Sequence, residues 1–351
     1  MKTGVSIYLS SGLEKNEEVI RKAELAGAAY GFTSLHIPEE EYDDYKEKVK
    51  SLLRLTNRAG IELTMDVDGN TPSVLGLNRM EDLLDYGVSS IRLDYGFSDE
   101  DVVTLSKHFN IVWNASTINP FDIRKWEKLG ADVEKFTACH NYYPKPYTGL
   151  SIEDIEKTNQ SLKYFGYSVS AFVPGDREFR GPLYLGLPTI ESHRNDKENL
   201  VCNMLDLYYA NTDIVMIGDI DISASNWDRL KDLSKGIVRL RARFIDATIA
   251  NEIVGKLNHE RPDSSSHIIR SQESRGWFSD KTISPCNTIS CGIGAICIAN
   301  DDYLRYKGEL EISRKERPAD NKVNVIGTII EDDLKYLPYI KNNMGFILDS
   351  I

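Results

Sequence analysis

Eight short apolar runs recur along residues 4–219, and nearly every one ends in a polar side chain. They are GVSIYLS (4–10), TSLHIPE (33–39), ELTMDVD (62–68), SIRLDYG (90–96), IVWNAST (111–117), EKFTACH (134–140), YSVSAFV (167–173) and DIVMIGD (213–219). A helix-like stretch fills the gaps. Strand and helix alternating at this interval predict a (β/α)8 TIM barrel, a fold that keeps its chemistry at the C-terminal ends of its strands.

Side chains in a strand alternate between two faces, and here the alternation separates polar from apolar. Ser6, Tyr8 and Ser10 oppose Val5, Ile7 and Leu9; Ser34 and His36 oppose Leu35 and Ile37. Thr64, Asp66 and Asp68 oppose Leu63, Met65 and Val67, and Arg92 and Asp94 oppose Ile91 and Leu93. Asn114 and Ser116 oppose Trp113 and Ala115; Ser168 and Ser170 oppose Val169 and Ala171. The apolar face must meet the surrounding helices, so the polar face points into the barrel. Such an interior is costly unless its groups pair with one another or with a ligand.

Helices are expected over 14–28, 43–59, 98–107, 151–165, 196–210 and 223–235. Ser98 before three acids is a good N-cap, and Ser151 with Asp154 has capping-box spacing. The loop between strands seven and eight, PGDREFRGPLYLGLPTIESHR (174–194), is long and rich in Gly, Pro and charge. Loops of that length are usually functional or disordered, and this one has too many aromatic and aliphatic residues for disorder. After residue 235 the rhythm changes to short strands, at 237–245, 265–271, 294–300, 308–313, 322–330 and 345–350. This reads as a barrel domain over 1–235 and a small, mostly β domain over 236–351.

The net charge of −12 argues against nucleic acid or an anionic membrane as the main partner. No run approaches the ~18 apolar residues of a membrane span, and the N-terminal run reads better as a first strand than as a signal peptide. Five cysteines, an odd number with no CxxC pair, suit reduced thiols in a cytoplasmic protein.

The segments SLHIPE (34–39), IRLDYG (91–96), NAST (114–117), HNYYPKPYTGLS (140–151), GPLYLGLPTIESHR (181–194) and RSQESRG (270–276) together resemble the bacterial 6-phospho-N-acetylmuramidase family. The resemblance extends over the whole chain. It implies a TIM barrel joined to a C-terminal cyclophilin-like domain. It also implies a cytoplasmic glycoside hydrolase of cell-wall recycling that cleaves MurNAc-6-phosphate–GlcNAc to MurNAc 6-phosphate and GlcNAc.

Glycoside hydrolysis generally uses two carboxyl groups, although an N-acetyl sugar can attack with its own acetamide. Asp66, Asp68, Asp94 and Glu39 are the candidates, with Asp66 and Asp94 preferred. The blander alternative is that some pair with Arg92, or that Asp68 braces the DGNTP turn. His36, His140 and His193 are expected to hydrogen-bond sugar or phosphate. No HxH or HExxH spacing supports a metal, and no cofactor is expected. Asn114 and Asn141 suit sugar hydroxyls or an acetamide, and Glu191 is a further substrate contact. Tyr142, Tyr143 and Tyr147 would make a stacking wall or simply pack the loop. Arg194 and Arg270, followed by Arg180, are expected to hold the 6-phosphate, because the guanidinium fork matches phosphate oxygens.

Two other functions compete. A Schiff-base aldolase needs a lysine near an inward strand end, and none occupies such a position. A binding protein or prolyl isomerase acting through the β domain would leave the polar barrel unexplained.

Overall fold

Parallel strands cannot be joined by tight turns and need crossovers, which here are mostly helical. In the computed structural model, which describes residues 1–35 and 45–351, eight strands close into a barrel in sequence order. They are β1 (Lys2–Ser6), β2 (Tyr30–Ser34), β3 (Glu62–Val67), β4 (Ser90–Leu93), β5 (Asn110–Asn114), β6 (Phe136–Cys139), β7 (Val169–Val173) and β8 (Ile214–Ile217). Closure comes from β1 pairing with both β2 and β8, with Lys2 opposite Ile214 and Val5 opposite Ile217. The TIM-barrel expectation is met.

The outer layer contains α1 (Leu13–Leu25), α2 (Tyr45–Arg58), α3 (Thr71–Val74), α4 (Asp99–Ser106), α5 (Pro120–Lys128), α6 (Ile152–Tyr164), α7 (Leu200–Tyr209) and α8 (Ala224–Ser234). Only one turn long, α3 is followed by a 3-10 segment at Met80–Tyr86. Ser98 caps α4 in a reciprocal capping box with Asp101, and Ser151 accepts from the Asp154 amide to start α6. The sequence places strand two at 33–39, but β2 begins at Tyr30. Gly31 weakens the strand signal at that position while the backbone still pairs with β1 and β3.

Inside the barrel the expected polar interior is interrupted. Phe32, Val112, Cys139, Phe172 and Met216 form a buried cluster, with Tyr142 and Ile214 against it. The Phe32 and Phe172 rings meet edge-on at 5.2 Å, and Tyr142 meets Phe172 at 5.1 Å. This is the filled layer normal for barrels of this size. Below it, toward the N-terminal strand ends, lies a cavity of about 220 Å³ whose lining joins Lys2, Glu62 and Asn110 to the apolar Val112, Ile214 and Met216. Above it are the C-terminal strand ends.

Contacts divide the chain into two units, Met1–Ser234 and Lys235–Ile351. The second is built on β9 (Ile237–Phe244), α9 (Ala247–Ile253), β10 (Leu257–His259), β11 (Ile268–Arg270), α10 (Ser274–Trp277), β12 (Ala295–Ala299), β13 (Leu310–Ser313), β14 (Val323–Ile329) and β15 (Gly345–Ser350). Its seven strands form one sheet in the order β10-β15-β9-β14-β12-β13-β11. Among the described residues, no helix is long and apolar enough to cross a membrane.

Candidate functional site

The inward positions at the upper ends of β2, β3 and β4 are in register. Ser34 lies opposite Asp66, and Asp66 lies opposite Arg92. Their side chains join accordingly. Arg92 Nη1 donates to Asp66 Oδ1 at 2.6 Å, and Ser34 Oγ donates to Asp66 Oδ2 at 3.3 Å. Arg92 Nη2 reaches Asn141, just past β6, and donates to Oδ1 at 2.6 Å. The result is one polar chain, Ser34–Asp66–Arg92–Asn141, lying across the barrel mouth. Burial works against the Arg92 charge, but Asp66 and, more weakly, Cys139 and Asp94 outweigh it and raise its pKa.

Asp94 is exposed at the rim beyond β4, and its amide donates to the Val67 carbonyl at 3.1 Å. Asp66 and Asp94 therefore belong to neighbouring strand ends and share the field of Arg92. Asp68 accepts from the Asn70 amide at 2.9 Å and the Thr71 hydroxyl at 3.1 Å. That is the turn-bracing role. Glu39 and His36 lie outside the described residues.

A second group faces the same mouth. Tyr8 is buried, and its hydroxyl donates to the Gly218 carbonyl. The Arg180 guanidinium lies 4.7 Å from the centre of the Tyr8 ring, a cation–π contact. Burial raises the pKa of both Tyr8 and Tyr142, which keeps their hydroxyls protonated at neutral pH. Tyr142 feels Arg180, Asp66 and Arg92 together, so it links the two groups.

Asp219, two residues beyond β8, holds the long loop over this end of the barrel. Its carboxylate accepts from the backbone amides of Gly175 at 2.9 Å, Arg180 at 3.1 Å and Leu187 at 3.0 Å. Burial nonetheless raises its pKa, offset in part by those three bonds. Gly218 permits the close approach: a Cβ there would lie 2.3 Å from the Leu187 carbonyl oxygen. The sequence marks Asp219 only as a polar end to strand eight, because its partners are loop amides rather than side chains.

Several expected contacts lie elsewhere. His140 is buried, and its Nε2 pairs with Asn159 Oδ1 on α6 at 2.7 Å. It faces the helix layer, whereas Cys139 and Asn141 on either side face the barrel axis. Burial also lowers its pKa, so it is neutral. His193 is likewise buried, with Nε2 3.2 Å from Asp206 on α7. These two histidines therefore do not converge on a common ligand.

Arg194, expected on phosphate, is only 5% exposed and fully engaged. It donates twice to Glu191, and to the carbonyls of Gly186, Tyr143 and Lys145. Glu191 also accepts from the amides of Tyr147 and Gly149. The pair braces the loops and leaves no free fork for phosphate. Tyr143 gives its backbone to this network, accepting from Arg194 and donating to the Pro188 carbonyl. Asn114 Oδ1 accepts from the Ser116 amide at 3.0 Å. Arg270 belongs to the second unit, where its Nη2 donates to the Asp263 carbonyl at 2.7 Å.

A family model described as 6-phospho-N-acetylmuramidase, N-terminal, matches residues 3–232, and one described as 6-phospho-N-acetylmuramidase, C-terminal, matches residues 238–349. No curated protein matches the sequence. Among solved structures, the chain is similar to a conserved protein of unknown function from Enterococcus faecalis. That match has 29% identity and a TM-score of 0.77, and covers 100% of this chain and 96% of the other. It is also similar to an uncharacterized B. cereus protein at 25% identity and a TM-score of 0.74, covering 99% of each chain.

Proposed function

Because the chain belongs to the 6-phospho-N-acetylmuramidase family, we propose that it hydrolyses the glycosidic bond of MurNAc-6-phosphate–GlcNAc, releasing MurNAc 6-phosphate and GlcNAc. The observation that carries this reading is the fixed carboxylate of Asp66 at the barrel mouth, with Asp94 on the next strand end. An oxocarbenium-like transition state needs negative charge held close to the anomeric carbon and a proton for the departing oxygen. Ser34 and Arg92 restrict Asp66 to one geometry. It faces the anomeric carbon, or orients the acetamide if the sugar supplies its own nucleophile. Asp94, exposed at the rim on the next strand end, is placed on the side of the departing oxygen.

The remaining polar groups have complementary work. Arg92 occupies Asn141 Oδ1, which leaves the Nδ2 hydrogens to donate to the acetamide carbonyl. Tyr142 supplies a neutral hydroxyl, and the buried Tyr8 ring is the platform that positions Arg180. Arg180 is the cation for the 6-phosphate or the lactyl carboxylate, in place of Arg194.

The test is to incubate the protein with the phosphorylated disaccharide and with its unphosphorylated twin. Cleavage of the phosphorylated compound with strong preference over the twin supports the proposal. Cleavage of neither ends the hydrolase reading, and equal cleavage of both ends the claim that phosphate is recognised.

A further inference from the structure

The second unit contains two cysteines in contact. Cys291 Sγ and Cys297 Sγ lie 3.4 Å apart on one face of the sheet. Cys297 is on β12, opposite Glu311 on β13 and Val325 on β14, next to an irregularity in the β12–β14 pairing. Cys291 is fixed by a two-way backbone bridge to Arg317: its amide donates to the Arg317 carbonyl at 3.0 Å, and the Arg317 amide donates back at 2.9 Å. Neither sulfur is bonded in a disulfide.

Cys291 also lines a cavity of about 550 Å³, together with Tyr303, Glu311, Arg317, Asp320 and Val323. The charged and titratable groups facing it are Arg317, Glu311, Tyr303, Asp320 and Cys297. Arg317 Nη1 donates to Glu311 at 2.8 Å and Nη2 to Ser313 at 3.2 Å, which fixes the cation beside the sulfurs. The hydrogen bond from Cys297 and the nearby Arg317 outweigh burial and Glu311, and lower the Cys291 pKa below that of an ordinary thiol. The same bond, with burial, pushes Cys297 far up. One thiol is thus set to attack while the other keeps its proton, the division of labour of an exchanging dithiol.

We propose that Cys291 and Cys297 form a thiol–disulfide exchange site that takes a low-molecular-weight disulfide through this cavity. The Cys291 thiolate attacks one sulfur of the small disulfide; its S–S bond breaks, and one thiolate leaves. Cys297 then passes its proton to the released thiolate and attacks the Cys291 sulfur, the mixed disulfide breaks, and the second small thiolate leaves and takes a proton from water. The net result is one Cys291–Cys297 disulfide and two small thiols, so the cysteines are oxidised by the two electrons that reduce the added disulfide. Bond formation requires the sulfurs to close from 3.4 Å to ~2.05 Å.

The test uses the full-length Cys286→Ser chain, since Cys286 is the exposed thiol. The reduced protein is treated with hydroxyethyl disulfide, its remaining thiols are alkylated, and the tryptic peptide 282–305, which carries Cys291 and Cys297, is weighed. The expected peptide carries no alkyl group and is two hydrogens lighter than the reduced form. Cys297→Ser should trap the hydroxyethyl adduct on Cys291, and Cys291→Ser should lose all adduct on Cys297. In the unmodified chain, iodoacetamide labelling of Cys291 should level off at lower pH than that of an ordinary thiol, which keeps gaining reactivity through pH ~8.5. Fully alkylated cysteines after disulfide treatment, or labelling of Cys291 that still climbs above pH 8, would overturn the proposal. The pH profile needs no variant, so a misfolded mutant cannot decide the outcome.

Discussion

Arg194 grips both oxygens of Glu191, Nε to Oε1 at 2.7 Å and Nη2 to Oε2 at 3.0 Å. With its other donors on the carbonyls of Gly186, Tyr143 and Lys145, it ties two active-face loops together. A guanidinium this occupied is a strut.

Arg194→Ala should therefore lower stability by about 3 kcal/mol, since a partly buried carboxylate and three carbonyls lose a charged donor. Arg194→Lys should rescue little, because an ammonium cannot reproduce the planar fork. Thermal denaturation of the three proteins checks this. An unchanged melting temperature with a raised KM for the phosphorylated substrate alone would return Arg194 to phosphate binding.

The same pair sets an acid limit. The hydrogen bond from Arg194, with the amides of Tyr147 and Gly149, lowers the Glu191 pKa to about 2. The unfolded value is ~4.3. The resulting stability, of order 2–3 kcal/mol, is complete above pH ~4.3 and fades as pH falls toward the folded pKa. Glu191→Gln should be less stable at pH 7 and show a flatter stability profile below pH 4.5. Equal slopes for the two proteins in urea melts across that interval would contradict the linkage.

Asp94→Asn should lower kcat by at least about 100-fold on the phosphorylated disaccharide, the usual scale for a general acid, with the melting temperature unchanged because Asp94 is exposed. Asp66→Asn should lower kcat at least as far, but with a stability loss of about 3 kcal/mol, because the buried Arg92 loses its charge partner. Near-normal turnover in both variants, with circular dichroism showing intact folds, would remove these two carboxylates from the chemistry.

Arg180→Ala should raise KM for the phosphorylated disaccharide by about 10- to 100-fold, the scale of a lost charge-assisted contact of ~1.5–3 kcal/mol. An unphosphorylated analogue bearing an ester in place of the lactyl acid should be affected far less. Kinetics on both compounds decide it, and equal losses would mean that Arg180 matters only for stacking on Tyr8.

Much of the barrel was legible because strand alternation is strict. The polar face of Thr64, Asp66, Ser90 and Arg92 follows from parity alone, and so does the contact between Asp66 and Arg92 once their strands pair in register. The same parity separates His140 from Asn141: adjacent strand residues cannot both face the axis, and Asn141 is the one that does. The loop residues were less legible. Glu191 and Arg194 carry the charges expected of ligand contacts, yet they bond to each other and to loop backbone, and Asp219, visible only as a polar strand end, binds loop amides. A sequence displays side chains and hides where carbonyls and amides point. The missed Tyr30–Phe32 start of β2 has another cause: its pairing is carried by backbone bonds that Gly31 makes as readily as valine would.

The aromatic layer around Phe32, Phe172 and Tyr142 has one more result. It fills the barrel between the hollow near Lys2 and Glu62 and the strand ends that carry Asp66. Under the proposed hydrolysis, sugar and attacking water would both come in from the strand-end side, and the order in which the first departing fragment clears that side and water enters would become part of the catalytic cycle.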